Sequence, residues 1–258
     1  MTDIQKKVRR LTRRAKPMTS QSAICFLSVE PNPVLVAFAE RLSEHHRVYI
    51  MIDSNECSLP ATSYVTFIRL NDEFCRNKGF YNTSPTIAKS PVAWDKALLY
   101  FSMIETSYKH VWFIEEDVFI PTTTILKQIS IKYPAADLLV SRHLSRVIDH
   151  DWPWWHICDD ESLATPHYHA MICAVRMSRN LLQVIASYAK EKKKLIFVEV
   201  MLNTLAAVNN LRVETPIELS RVVHRHDWDE SKLDTKHLIH PIKDLALHEH
   251  YRTILGVN

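Results

Sequence analysis

Val111-Trp-Phe-Ile-Glu-Glu-Asp-Val-Phe-Ile-Pro121 decides how the chain is read. The apolar run Val111–Ile114 passes directly into three carboxylates, Glu115, Glu116 and Asp117, before Pro121 closes the segment. A short apolar run bounded by turn signals reads as a buried strand. In open α/β sheets, ligands bind outside the carboxyl ends of strands. Three adjacent carboxylates repel one another, and a cation held by hard oxygen ligands relieves that repulsion. Mg²⁺ or Mn²⁺ in such a place commonly completes its shell with substrate phosphate oxygens. The plainer reading is a solvated acidic turn. The apolar strand before the acids and a second acid-ended strand upstream favour the metal reading.

Outward from this segment, strands alternate with helices. Ala23–Ser28 reads as a buried strand, broken by Pro31 and Pro33, and Pro33 opens a helix to about Glu44. Arg47–Asp53 is a second strand ending on an acid, and Tyr64–Leu70 a third. Residues 71–91 read as polar and irregular. Ala97, Leu98, Phe101 and Ile104 or Met103 recur at helical spacing within a helix from Ala93 to Ser107. Thr122–Tyr133 is a helix, Asp137–Ser141 a strand, and about 143–168 an aromatic and acidic loop. His169–Val175 is strand-like, and Ser178 caps a helix to about Lys190. A last helix runs from about Val198 to Asn209, before a tail rich in histidine and charge. Such alternation predicts an α/β fold with a largely parallel sheet flanked by helices. It predicts a basic arm over 1–20 and one domain over 21–258, with a nucleotide-binding half to about 141 and an acceptor half beyond.

Composition narrows the chemistry. The 258 residues are 47% hydrophobic and 24% charged, as in a soluble protein with a sizeable core. The net charge of +3 belongs to the N-terminus: residues 1–16 hold seven basic side chains against Asp3, or +6, leaving −3 for the rest. That arm suits weak contact with an acidic membrane surface, or simple solvation. No nucleic-acid partner is expected. No apolar segment suits a signal peptide or a transmembrane helix, so a soluble, cytoplasmic protein is expected, of a microbe, a protist or a large virus acting in its host's cytoplasm. The five cysteines are scattered, without C-x-x-C spacing, which argues against a disulfide framework or a zinc-thiolate site. Cys25 and Cys173 read as small core residues. Only Gly79 and Gly256 are glycine, so no glycine-rich phosphate loop exists. A bound diphosphate would need another neutralising device, and a metal ion is the obvious one.

The segment Val111–Pro121 resembles the metal-binding acidic motif (D-x-D or E-D-D) of GT-A glycosyltransferases, in the form found in N-acetylglucosaminyltransferase-like enzymes. The order of elements over about 22–245 is similar too: a first strand, the acid-ended strand to Asp53, the helix with Trp94-Asp95-Lys96, then the acids. The resemblance implies a GT-A-like, Rossmann-like sheet and transfer of a sugar from a UDP- or GDP-sugar to a glycan or other hydroxyl acceptor. It implies Asp117 as metal ligand and Glu115 as the acid orienting ribose or metal-bound water. Glu116 stands where the pattern has Asp. Asp53 matches the acid that contacts base or ribose, and Ser28, Trp94, Asp95 and Lys96 fall among the donor-binding positions. A late histidine and a nearby lysine complete such sites; His240 as metal ligand and Lys243 at the diphosphate are the matches, with His224, His226 and His237 as competitors. The metal would be Mn²⁺ or Mg²⁺.

An inverting transfer needs a general base near the acceptor hydroxyl. Glu199, in Phe197-Val-Glu-Val-Met-Leu202, lies at an apolar helix start where burial raises a carboxyl's pKa. Its segment is similar to the one that supplies the base in E-D-D enzymes; the plainer reading is a helix N-terminal carboxylate. Asp159 and Asp160 are the next candidates. They follow Trp152, Trp154 and Trp155, whose faces suit sugar C–H surfaces or simply bury area. Rival readings are a metal-dependent phosphohydrolase or nuclease, and a non-catalytic nucleotide- or carbohydrate-binding module.

Overall fold

The apolar runs become strands buried on both faces. In Ser22–Ser28, Ala23, Cys25 and Leu27 pack into one cluster, and Ile24 and Phe26 into another across the sheet. Burial on both sides is why these runs lack polar alternation. The computed structural model describes residues 8–11 and 21–257, apart from 61, 63, 84–89 and 158–162. Asp159 and Asp160 therefore lie outside the described residues.

In chain order the elements are β1 (Val8–Leu11), β2 (Ser22–Ser28), α1 (Pro33–Leu42), β3 (Arg47–Ile52), β4 (Val65–Leu70), α2 (Asp72–Asn77) and α3 (Ala93–Leu99, continued as a π turn over Tyr100–Ile104). Then come β5 (His110–Glu115), α4 (Ile125–Lys132), β6 (Leu138–Leu139), β7 (Leu144–Ser145), β8 (Tyr168–His169), β9 (Ala174–Ser178), α5 (Arg179–Lys192) and α6 (Val198–Val208). The chain closes with β10 (Val213–Glu214), β11 (Arg221–Val222), β12 (Ile239–His240) and α7 (Leu245–Ile254).

The main sheet has the order β1-β4-β3-β2-β5-β9-β6-β10. Its centre, β4-β3-β2-β5, is parallel, and β9 runs antiparallel between β5 and β6. The fold is thus mixed α/β, with a mostly parallel sheet between helical layers. The chain steps outward from β2 to β3 and β4, then returns on the other side of β2 as β5. That reversal is a topological switch point, where open sheets leave a crevice at their carboxyl ends. Ser28 ends β2, Asp53 follows β3, and Glu115 ends β5.

Local chemistry explains the helix starts. The Asn32 side chain accepts from the Val34 N–H with Pro33 in the first turn of α1, and Ser178 accepts from Leu181 N–H at the start of α5. Arg176 is fully buried, and its guanidinium donates to the Ser130, Tyr133 and Ala136 carbonyls at the end of α4. It satisfies acceptors that a helix end leaves orphaned.

Several expectations shift. The helix expected over Ala93–Ser107 ends at Ile104 in a π turn, where Arg179 donates to the Phe101 and Glu105 carbonyls. The strand expected over His169–Val175 is β9, Ala174–Ser178; the apolar residues before it form a buried loop that reaches the site. The polar stretch 71–91 contains α2, capped by Asn71, and the charged tail contains α7. Residues 8–11, placed in the basic arm by their charge, form an edge strand on β4. Three strands separate β1 from β5. Deletion of residues 1–16 is therefore expected to leave turnover on a soluble acceptor close to that of the full chain. A large loss would show that the N-terminal segment helps to build the site.

Candidate active site

Backbone bonds clamp the acidic turn from three sides. The Glu116 N–H donates to Leu27 O of β2 at 3.1 Å, and the Glu115 N–H to Cys173 O at 2.8 Å. Phe119 and Ile239 exchange both backbone bonds, at 2.8 and 3.1 Å, and the Ile242 N–H donates to Asp117 O at 2.8 Å. The last three bonds bring the C-terminal segment onto the turn and deliver His240 to Asp117.

The three acids are held differently. Trp94 Nε1 donates to Glu115 Oε1 at 2.7 Å. The Ser28 hydroxyl donates to Glu116, whose carboxyl burial pushes above its ordinary range despite that bond. Asp117 Oδ1 lies 3.4 Å from His240 Nε2. Burial alone would push the Asp117 carboxyl up, but His240 and Lys243 outweigh it and hold it low. His240 Nδ1 donates to Val223 O at 2.7 Å, which fixes the ring and turns Nε2 towards Asp117. A hydrogen bond from the far ring nitrogen is what orients a metal-ligating histidine. Carboxylate oxygens and an imidazole nitrogen are donor types that suit a divalent cation.

A cavity of about 390 Å³ opens at this point. Ser28, Asp53, Trp94, Glu115, Glu116, Asp117 and Lys243 all line it. Lys96 does not. It is 1% exposed, and its ammonium is taken by Asp53 O at 2.6 Å and Asp72 Oδ1 at 2.9 Å. Its place is to fix Asp53 at the cavity rim, since a buried ammonium needs both partners. Asp95 is equally buried; its carboxylate accepts from the Val92 N–H at 3.0 Å at the start of α3, and burial pushes it up to about 7. Both are buried because α3 turns its first polar pair inward, and Asp95 lines a smaller space beside Glu115.

A second cavity, of about 480 Å³, is lined by Trp152, Trp154, His169, Phe197, Glu199 and His224, among others. Trp152 stacks on His169, with centroids 4.2 Å apart, and lies 6.0 Å from Phe197. His169 is fixed by Asp149 at 2.9 Å. Trp155 is buried and donates to Asp149 O, so it packs beneath the loop. Among the competing histidines, His224 reaches this second cavity, His237 pairs with Asp234 at 2.8 Å, and His226 is exposed beside Trp228.

Glu199 sits where the cavities meet. A smaller space of about 180 Å³ is lined by Trp94 and Glu115 from the first, and by Phe197 and Glu199 from the second. Burial pushes the Glu199 carboxyl up to about 8, and the Glu115 charge adds to this. Between about pH 4.5 and 8 the folded chain keeps a proton on Glu199 that the unfolded chain has lost. Its contribution to stability is therefore lost as pH rises through that window. Glu199→Gln removes this loss. The variant is expected to be more stable than wild type by on the order of 3 kcal/mol near pH 8 and to lose that advantage near pH 4, read from urea denaturation at each pH. An equal difference at both pH values would contradict the burial of an ionisable group there.

Two contributors escaped the sequence reading. Cys173 is core, as its apolar run implies, and its Sγ also lies within 4.8 Å of ligand-type atoms of Glu115 and His240. The His169–Asp149 pair joins residues twenty positions apart, which no short motif marks.

No protein-family model matches the chain, and no curated protein matches it. Among solved structures, an active-site mutant of LgtC aligns over 92% of this chain and 97% of that one, with 9% identity and a TM-score of 0.48. The apo form of mouse xyloside xylosyltransferase 1 aligns over 76% of this chain and 85% of that one, with 12% identity and a TM-score of 0.38. Likenesses of this size do not establish a family, and the functional reading rests on the site itself.

Proposed function

We propose that this chain is a metal-dependent glycosyltransferase that binds a UDP- or GDP-sugar in the cavity at the ends of β2 and β5. The sugar passes to a hydroxyl acceptor, a glycan by preference, in the tryptophan-lined cavity. One observation carries the reading: an acid- and lysine-lined cavity and an aromatic cavity meet across a space that holds Glu199. A donor diphosphate needs the first, a sugar acceptor suits the second, and a transfer needs a proton acceptor between them.

Each residue then has a physical task. Asp53, fixed by Lys96, faces the base or ribose. Trp94 orients Glu115, and Ser28 orients Glu116. Lys243 places an ammonium where the diphosphate leaves. Asp117 and His240 hold a divalent cation, which when bound neutralises charge on the departing diphosphate. Glu199 takes the proton of the acceptor oxygen as that oxygen attacks the anomeric carbon, and the bond from that carbon to the diphosphate oxygen breaks. Attack opposite the leaving group inverts the anomeric centre. Calorimetric titration with UDP and with GDP, each with and without Mn²⁺, tests the donor half. Binding of at least one nucleotide that requires the ion is expected; equal binding without it would overturn the metal-dependent reading.

A further inference from the structure

We propose that Cys173 is a ligand of the cation centre and gives it a sulfur donor for zinc-like ions; this rests on the cation site proposed above. The fold places the residue there. β9 pairs antiparallel with β5, with Ile114 opposite Ala174, so the preceding Cys173 stands opposite Glu115. The Glu115 N–H bonds to Cys173 O at 2.8 Å and fixes that register.

The donor atoms converge. One oxygen of Glu115, the Cys173 Sγ and a ring nitrogen of His240 all lie within 4.8 Å of one another. Donors around a tetrahedral zinc with bonds of about 2.0–2.3 Å stand about 3.3–3.8 Å apart, so side-chain shifts of up to about 1 Å bring all three onto one ion. Asp117 Oδ1, 3.4 Å from His240 Nε2, stands beside this trio on the other side of the shared ring. A carboxylate, an imidazole and a thiol are all zinc-ligand types, and three such donors leave the fourth position of a tetrahedral ion open. The His240 ring is already held by the Val223 carbonyl.

The thiol sets what the centre accepts. Mg²⁺ takes oxygen donors and has no use for sulfur. Zn²⁺ and Co²⁺ take thiolate readily, and binding releases the thiol proton to solvent. The same pocket then answers two kinds of ion through two ligand sets that share His240: Asp117 and His240 for a hard ion, and Glu115, Cys173 and His240 for a borderline one.

Titrating the full-length protein with Co²⁺ alone, followed by absorption, tests this. The wild-type protein is expected to show a near-ultraviolet sulfur-to-cobalt charge-transfer band. Cys173→Ser and Cys173→Ala should both lose the band and bind Zn²⁺ at least about 10–100-fold more weakly, while Mg²⁺ affinity changes little. Two variants, each checked for folding by circular dichroism, guard against a defect of one substitution. Co²⁺ bound by wild type without the band, or a band that survives in both variants, would overturn the cysteine ligand and leave the hard-ion site standing. Failure of wild type to bind Co²⁺, Zn²⁺ or Mn²⁺ would overturn the cation site itself.

Discussion

Asp117→Ala is expected to abolish Mn²⁺-dependent nucleotide binding while leaving the fold intact. The chain has no glycine-rich loop to cradle phosphates, so a diphosphate in this cavity depends on a cation and Lys243 for neutralisation. Asp117 is the acid beside His240, and its carboxylate is held in the charged form by that ring and by Lys243. Removing it leaves His240 Nε2 without its carboxylate partner. A loss of about 10²-fold or more in nucleotide affinity in the presence of Mn²⁺ is expected, since even outer-shell changes at metal sites cost 10–100-fold. The turn itself should survive, because the backbone bonds that clamp it run through Leu27, Cys173 and Ile239 and not through the Asp117 side chain. Calorimetry with UDP and GDP reads the effect, and unchanged affinity would remove Asp117 from the site.

Glu199→Gln is expected to lower kcat by about 10²–10⁴-fold, the usual worth of a positioned general base, with donor affinity close to wild type. The amide keeps the shape of the side chain but accepts no proton. The metal-side acids are committed to the donor, whereas Glu199 lines both the aromatic cavity and the space joining it to the donor cavity. Its elevated pKa gives the pH dependence a sign. The base works only when ionised, so kcat/KM of the wild type should rise with pH towards about 8 and level off above it. A cation held by Asp117 and His240, beside Glu115, would offset part of the charge that raises Glu199, so the rise should move to lower pH as Mn²⁺ saturates. The residual activity of Glu199→Gln should lack this limb. The product should carry the anomeric configuration opposite to the donor's. Retention seen by NMR, or near-normal kcat in the variant, would end this assignment.

The strands were legible because the central sheet is buried on both faces. Ala23–Ser28, Arg47–Asp53 and Val111–Ile114 carry apolar residues at every position that must pack, and the acids stand immediately after them. The site was less legible wherever tertiary contacts override residue type. Lys96 matches a donor-binding position of the resembled family, but α3 turns it inward between Asp53 and Asp72. α7 was missed because its buried stripe includes His248 and Arg252, which read as surface residues. Arg252 is 2% exposed, stacks 3.5 Å over the Phe38 ring and donates to the Ile120 carbonyl. β9 was displaced in the sequence reading because its buried Arg176 broke the apolar run, while the loop before it is apolar for another reason: it brings Cys173 to the acids. No spacing rule ties Cys173 to Glu115, since antiparallel pairing alone joins them. The pairing of His240 with Asp117 likewise depends on the bridge between Phe119 and Ile239, two segments far apart in sequence.

The central claim is that this chain transfers a sugar from a nucleotide donor. Incubating it with a panel of UDP- and GDP-sugars, Mn²⁺ and a set of soluble glycan acceptors, and measuring released nucleotide, tests that claim most directly. Release of UDP or GDP from a particular sugar donor is expected, raised by acceptor, dependent on Mn²⁺ and lost in Asp117→Ala. No nucleotide release above that of Asp117→Ala across the panel, or release of mononucleotide by phosphate cleavage without sugar transfer, would contradict it.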